Sequence, residues 1–148
     1  MIGTVHLLFG AVIGKFIGNP YLTCILAFVT HYLLDAVPHC QAKAPKGFRE
    51  GGFRGVDKMD LLLKSVEPIL GIGLTLYLIV LNGSSVSMLL GAFFGTLPDL
   101  LWFVEWKWGR RIRPPLVTLW EETFHRHIGV VGIIPQIMVM ILCLLYLL

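Results

Sequence analysis

The chain has 148 residues, 56% of them hydrophobic and only 14% charged, with a formal net charge of +3. That length allows one domain, and an ordinary soluble domain carries roughly 25% charged residues, so composition argues against a soluble helical bundle with an enlarged core. An integral membrane protein is the expectation, all-α, with residues 1–148 forming a single membrane-embedded helical domain.

The N-terminal stretch MIGTVHLLFGAVIGKF lacks a basic leading region, and its lysine follows the apolar run. That order predicts a retained helix rather than a cleaved signal peptide. Five apolar segments follow one another at about 3–18, 20–37, 60–82, 85–106 and 129–148. A spanning helix needs about 20 residues, with about 17 a workable minimum, so the first two are short and the last three comfortable. Asn19-Pro20 predicts a tight turn between the first pair, and Asn82-Gly83-Ser84-Ser85 one between the third and fourth. No segment alternates with period two, and open sheets do not cross lipid, which excludes strands. The long connections are of another kind. Residues 39–59 are basic and glycine-rich, and residues 107–128 begin basic and continue as an amphipathic helix. Cys24, Cys40 and Cys143 are far apart and show no finger spacing, so no disulfide framework is expected.

Five crossings put the N-terminus and both long connections on one side of the bilayer. Eleven of the twelve Lys and Arg residues fall there, all except Lys15. The positive-inside rule then makes that side the cytoplasm, as for a bacterial-type inner membrane. All five histidines and all nine carboxylates share it. The informative ones lie inside helices. His6, His31, Glu67 and Asp99 each sit about one and a half to two turns from the cytoplasmic helix end, roughly 8–12 Å at 1.5 Å per residue.

Spacing is a second signal, because residues four apart share a helix face. The stripes read His6-Gly10-Gly14-Gly18, Thr23-Ala27-His31-Asp35, Glu67-Gly71-Thr75 and Gly91-Gly95-Asp99. Small stripes are where membrane helices approach closely, so these ionisable groups are expected to face the bundle interior. Close packing alone explains the glycines, but not why every stripe carries an ionisable residue.

An ionisable side chain inside the bilayer costs on the order of 2.5–3.5 kcal/mol, and several together need a cation or a shared proton. His with Asp or Glu is a ligand set for a divalent metal, zinc first, with manganese or iron as alternatives. His31 and Asp35 can present two ligands from one turn, and Pro38 lets His39 turn back toward them. A metal there lowers the pKa of a bound water toward about 7, and Glu67 or Glu121 is then the candidate general base. Glu121 and His125 are again four apart, while His125 and His127 point to different sides of a helix, so one of the two is the expected ligand. His39, Arg49, Arg54 and Arg126 are the candidate substrate-binding residues for an anionic group such as a phosphate. The same basic loops also read as topology signals and anionic-lipid contacts.

The pieces HLLFGA, HYLLDAVPH, GTLPDLLW and FHRHIG, which together run through most of the chain, resemble the YdjM-like group of small membrane-bound metal-dependent hydrolases. The resemblance implies that His6, His31, Asp35, Asp99 and His125 are the metal ligands. Leu101 and Trp102 stand where members of that group carry a second Asp and a His, and the HxxxD helix here precedes the Pro-Asp motif. The leading functional expectation is hydrolysis of a phosphoester or ester of a lipid-like substrate at the cytoplasmic interface. A homo-oligomer is compatible with it, and no nucleic-acid partner is expected. The alternative from another class is a non-enzymatic ion- or proton-conducting or structural subunit with a buried His/Asp/Glu cluster.

Overall fold

A computed structural model describes residues 1–39, 58–108, 115, 119, 123 and 130–148, with side chains described at all of these except 58–64, 102, 103, 105–108 and 130. Among the described residues the fold holds five α-helices of known bounds: α1 (Gly3–Ile17), α2 (Pro20–Ala36), α3 (Lys58–Leu81), α4 (Val86–Trp108) and α5 (Ile133–Leu147). The last begins after a 3₁₀ turn at Val130–Gly132, a few residues later than the apolar segment implied.

The short turns form as the sequence predicts. Gly18 ends α1 in the left-handed region (φ 67°), and its N–H returns to the Gly14 carbonyl, the usual glycine stop. Asn19 then caps α2 by accepting from the Leu22 N–H at 3.1 Å, with Pro20 in the first turn where its missing N–H costs nothing. Between α3 and α4 the chain reverses through Gly83 and Ser84, both at positive φ. The Asn82 side-chain amide donates to the carbonyls of Leu78 and Leu147, tying the end of α5 to this turn.

Helix α1 is the centre of the bundle. It packs on all four other helices and most extensively on α4, which also supports α2. Glycines permit that approach: a methyl group on Gly10 or on Gly91 would run into the other's carbonyl, and one on Gly14 into the backbone at Ser87. Without Cβ atoms the two backbones touch, the small-residue packing expected from the stripes. Below this contact Leu8, Ala11, Leu78, Met88, Cys143 and Leu147 form the main apolar core.

The outer surface is apolar too. Phe16, Tyr21, Ile25, Leu70, Val80 and Leu145 are among many large hydrophobic side chains that stay more than half exposed. Three of the helices are nevertheless short. With 15 residues in α1 and α5 and 17 in α2, each extends about 22–26 Å against a hydrocarbon core of about 30 Å. Among the described residues, no helix is long and apolar enough to cross a membrane.

Candidate metal centre

The polar ends of three stripes meet where α1, α2 and α4 cross. His6 enters from α1, His31 and Asp35 from successive turns of α2, and Asp99 from α4. Both imidazoles are buried and stack with centroids 4.0 Å apart. Asp35 lies against both, with Oδ1 3.2 Å from His6 Nε2 and Oδ2 3.4 Å from His31 Nε2. Asp99 reaches His31 Nε2 at 3.8 Å, and its side chain is 52% exposed against 11% for Asp35.

Tautomers follow from the neighbours. His31 Nδ1 lies 2.8 Å from the Gly95 carbonyl oxygen, which can only accept, so Nδ1 carries the proton and donates it. In the neutral ring Nε2 then presents a lone pair to two carboxylates. His39 repeats the arrangement: Pro38 has ended the helix, the ring is buried, and Nδ1–H donates to the Val37 carbonyl at 2.8 Å. Its Nε2 faces Asp35 Oδ1 at 3.9 Å and the Met1 amine at 3.0 Å. That amine also donates to Asp35. Lone pairs and carboxylates turned on one point repel each other unless a proton or a metal ion lies between them.

A metal fits this donor set. One ligand atom each from His6, His31 and Asp99 lies within 4.8 Å of the others. Two donors to one zinc ion stand at most about 4.2 Å apart, given bonds near 2.1 Å, so the three ligand atoms would have to close in slightly, and half-exposed Asp99 has room to move. Nδ1 of buried His6 has no hydrogen-bond partner among the described residues, and its Nε2 meets the Asp35 carboxylate at 3.2 Å. A buried ring nitrogen without a partner is costly, and coordination would satisfy it. The His31–Gly95 bond is the kind of outer hydrogen bond that fixes a metal-bound histidine.

No family model, curated protein or solved structure matches this chain. The site therefore has to be read from its own geometry.

Of the residues singled out from sequence, the fold brings together His6, His31, Asp35 and Asp99. His39, expected on the substrate side, also borders Asp35 and is buried. Glu67 is placed elsewhere. Its Oε1 accepts from the Thr4 N–H at 2.8 Å and from the Thr4 hydroxyl. Ile2 makes no side-chain cap for α1, so a carboxylate from α3 does that work from outside the helix, where its charge also suits the helix dipole. Glu121, His125, Arg49, Arg54 and Arg126 lie outside the described residues.

Two participants were not foreseen. The Gly95 carbonyl could have been suspected only from its place one turn before Asp99 on a small stripe. Thr4, the partner of Glu67, carried no signal, because nothing local shows that the α1 N-terminus lacks its own cap.

Beside the cluster, a cavity of about 500 Å³ runs between α1, α3 and α4, with Asp99 in its lining.

Proposed function

We propose that this chain is a membrane-embedded, metal-dependent hydrolase of an ester or phosphoester on a lipid-like substrate, acting at the cytoplasmic face of a bacterial-type inner membrane. The observation that carries the metal reading is the fixed orientation of His31: its Nδ1–H is committed to Gly95 while Nε2 faces Asp35 and Asp99. His6, His31 and Asp99 would hold the ion, with Asp35 beside them balancing its charge and bracing both rings. Zinc, manganese or iron suits this donor set. When bound, such an ion supplies a Lewis acid and makes hydroxide accessible near neutral pH. The chain's own contribution is to exclude water from the histidines and to leave one ligand, Asp99, open to an approaching substrate.

Membrane embedding is supported by the exposed apolar side chains along α2, α3, α4 and α5 and by the one-sided distribution of Lys and Arg. A bilayer accommodates short helices by thinning or by snorkelling of flanking residues, at a fraction of a kcal/mol per Å of mismatch. The conducting alternative needs a polar path through the other half of the bundle. There the side chains of Thr75, Asn82 and Ser87 each donate to a backbone carbonyl. That arrangement favours a one-sided pocket.

The reading is tested by reconstituting the protein and following headgroup or phosphate release from a panel of phospholipids and isoprenoid phosphates. Release that stops on chelation, returns with zinc or manganese, and is lost in His31→Ala is expected. Well-folded, metal-loaded protein inert toward the whole panel would contradict the hydrolase reading. Extraction of the chain from membranes by alkaline carbonate would contradict the embedding.

A further inference from the structure

The cavity beside Asp99 has a shape and polarity of its own. Along α4 its lining runs from Asp99 and Leu100 through Thr96 to Leu89, and along antiparallel α3 from Pro68 to Ile79. Ten or eleven helical residues make it roughly 15 Å long at 1.5 Å per residue. Its walls are almost wholly hydrocarbon. The two threonines that reach it use their hydroxyls on their own helices, Thr75 on the Gly71 carbonyl and Thr96 on that of Ala92. The charged residue of its lining is Asp99, at the end where α1 begins, and Asp99 belongs to the histidine cluster.

We infer that this cavity is an acyl-chain subsite: it takes one aliphatic tail of a membrane amphiphile, with the ester end at Asp99 and the methyl end between Leu89 and Ile79. This rests on the hydrolase reading and narrows its substrate to a lipid held by its tail. The volume lies within the usual range for a small-ligand site, about 300–1,000 Å³. An elongated, apolar space with one polar end matches an alkyl chain bearing a polar head. It does not match a sugar or a nucleotide, for which the walls offer no hydrogen bonds. A tail in the cavity would lay the adjoining ester against the cluster without any recognition of the headgroup, so headgroup chemistry would be read at the exposed side of Asp99.

Photo-crosslinking of the full chain in phosphatidylcholine vesicles tests this directly. Two phosphatidylethanolamine probes are used, one with a diazirine beside the ester and one with it at the methyl end of the same chain. The methyl-end probe is expected to label Leu76, Ile79 and Leu89, and the ester-side probe Pro68, Thr96 and Leu100. Labelling of these positions is expected to exceed that of outward-facing Tyr77, Val80 and Leu81 by about tenfold, equivalent to about 1.4 kcal/mol of site preference. Leu89→Trp, a change at a partly exposed wall, is expected to abolish the excess, whereas Val80→Trp leaves it intact. His31→Ala should retain the labelling pattern, so a failed hydrolase reading would appear as graded labelling without turnover. Equal labelling of cavity and outward positions, or no difference between the two probes, would overturn the subsite even if lipid hydrolysis were observed.

Discussion

His31 hangs from the carbonyl of Gly95: its Nδ1–H donates across the α2–α4 interface at 2.8 Å, and this bond fixes which nitrogen faces Asp35 and Asp99. The orientation of the central ligand is thus set by backbone on another helix. Backbone cannot be mutated away, but it can be moved.

Gly95→Ala moves it. A Cβ at this position would stand 2.8 Å from the His6 carbonyl, so α1 and α4 must separate or slide. Zinc affinity is expected to fall by about 10–100-fold, the usual cost of disturbing a ligand's outer hydrogen bond, while helix content by circular dichroism is kept. Gly73→Ala is the control, since nothing lies within 4 Å of its added methyl. Equal affinities for the two variants would contradict the positioning role.

Asp35 is the hub of the buried charges, bordered by His6, His31, His39 and the Met1 amine. Asp35→Asn keeps the volume and removes the charge, leaving the groups around it without their anion. Breaking a buried pair in this way costs about 3–5 kcal/mol, measurable by thermal unfolding in detergent. A change under about 1 kcal/mol, the range of an exposed pair, would show that the site tolerates the charge loss.

The glycine contact between α1 and α4 makes an independent prediction. Gly10→Ala forces a methyl into the Gly91 carbonyl, and overpacking of this kind costs about 1–3 kcal/mol. Since His6 and Asp99 ride on these two helices, metal binding should weaken in parallel with stability. Unchanged unfolding and unchanged affinity would mean that the helices approach less closely than described.

Glu67 separates two roles that look alike from sequence. As a cap on α1 held by Thr4, its replacement in Glu67→Gln should lower stability by about 1 kcal/mol and leave turnover per metal-loaded molecule within a few-fold. Thr4→Ala should cost a similar amount, and the double variant less than the sum. Loss of turnover at unchanged stability would return Glu67 to the general-base role.

Much of this was legible in the chain. Turn chemistry at Gly18-Asn19-Pro20 and Asn82-Gly83 is local, and the fold follows it. Spacing of four also predicted which faces turn inward, because a glycine stripe and the ionisable residue on it must share a side of the helix. The different surroundings of Glu67 and His31 have one physical root. Periodicity shows that a residue faces inward but not at which neighbour, and Glu67 on α3 meets the start of α1 rather than the histidines. Pro38, by contrast, marked both the end of α2 and the return of His39, whose ring the fold places 3.9 Å from Asp35.

Metal content of the purified protein, measured by plasma mass spectrometry after exchange into metal-free buffer and reloading with zinc, tests the central claim most directly. At least one tightly held equivalent per chain is expected in the unaltered protein and none in the His31→Ala/Asp99→Ala variant of equal helix content. A well-folded protein that retains no zinc, manganese or iron after reloading would contradict the metal centre and leave a shared proton as the charge between His31 and its two carboxylates.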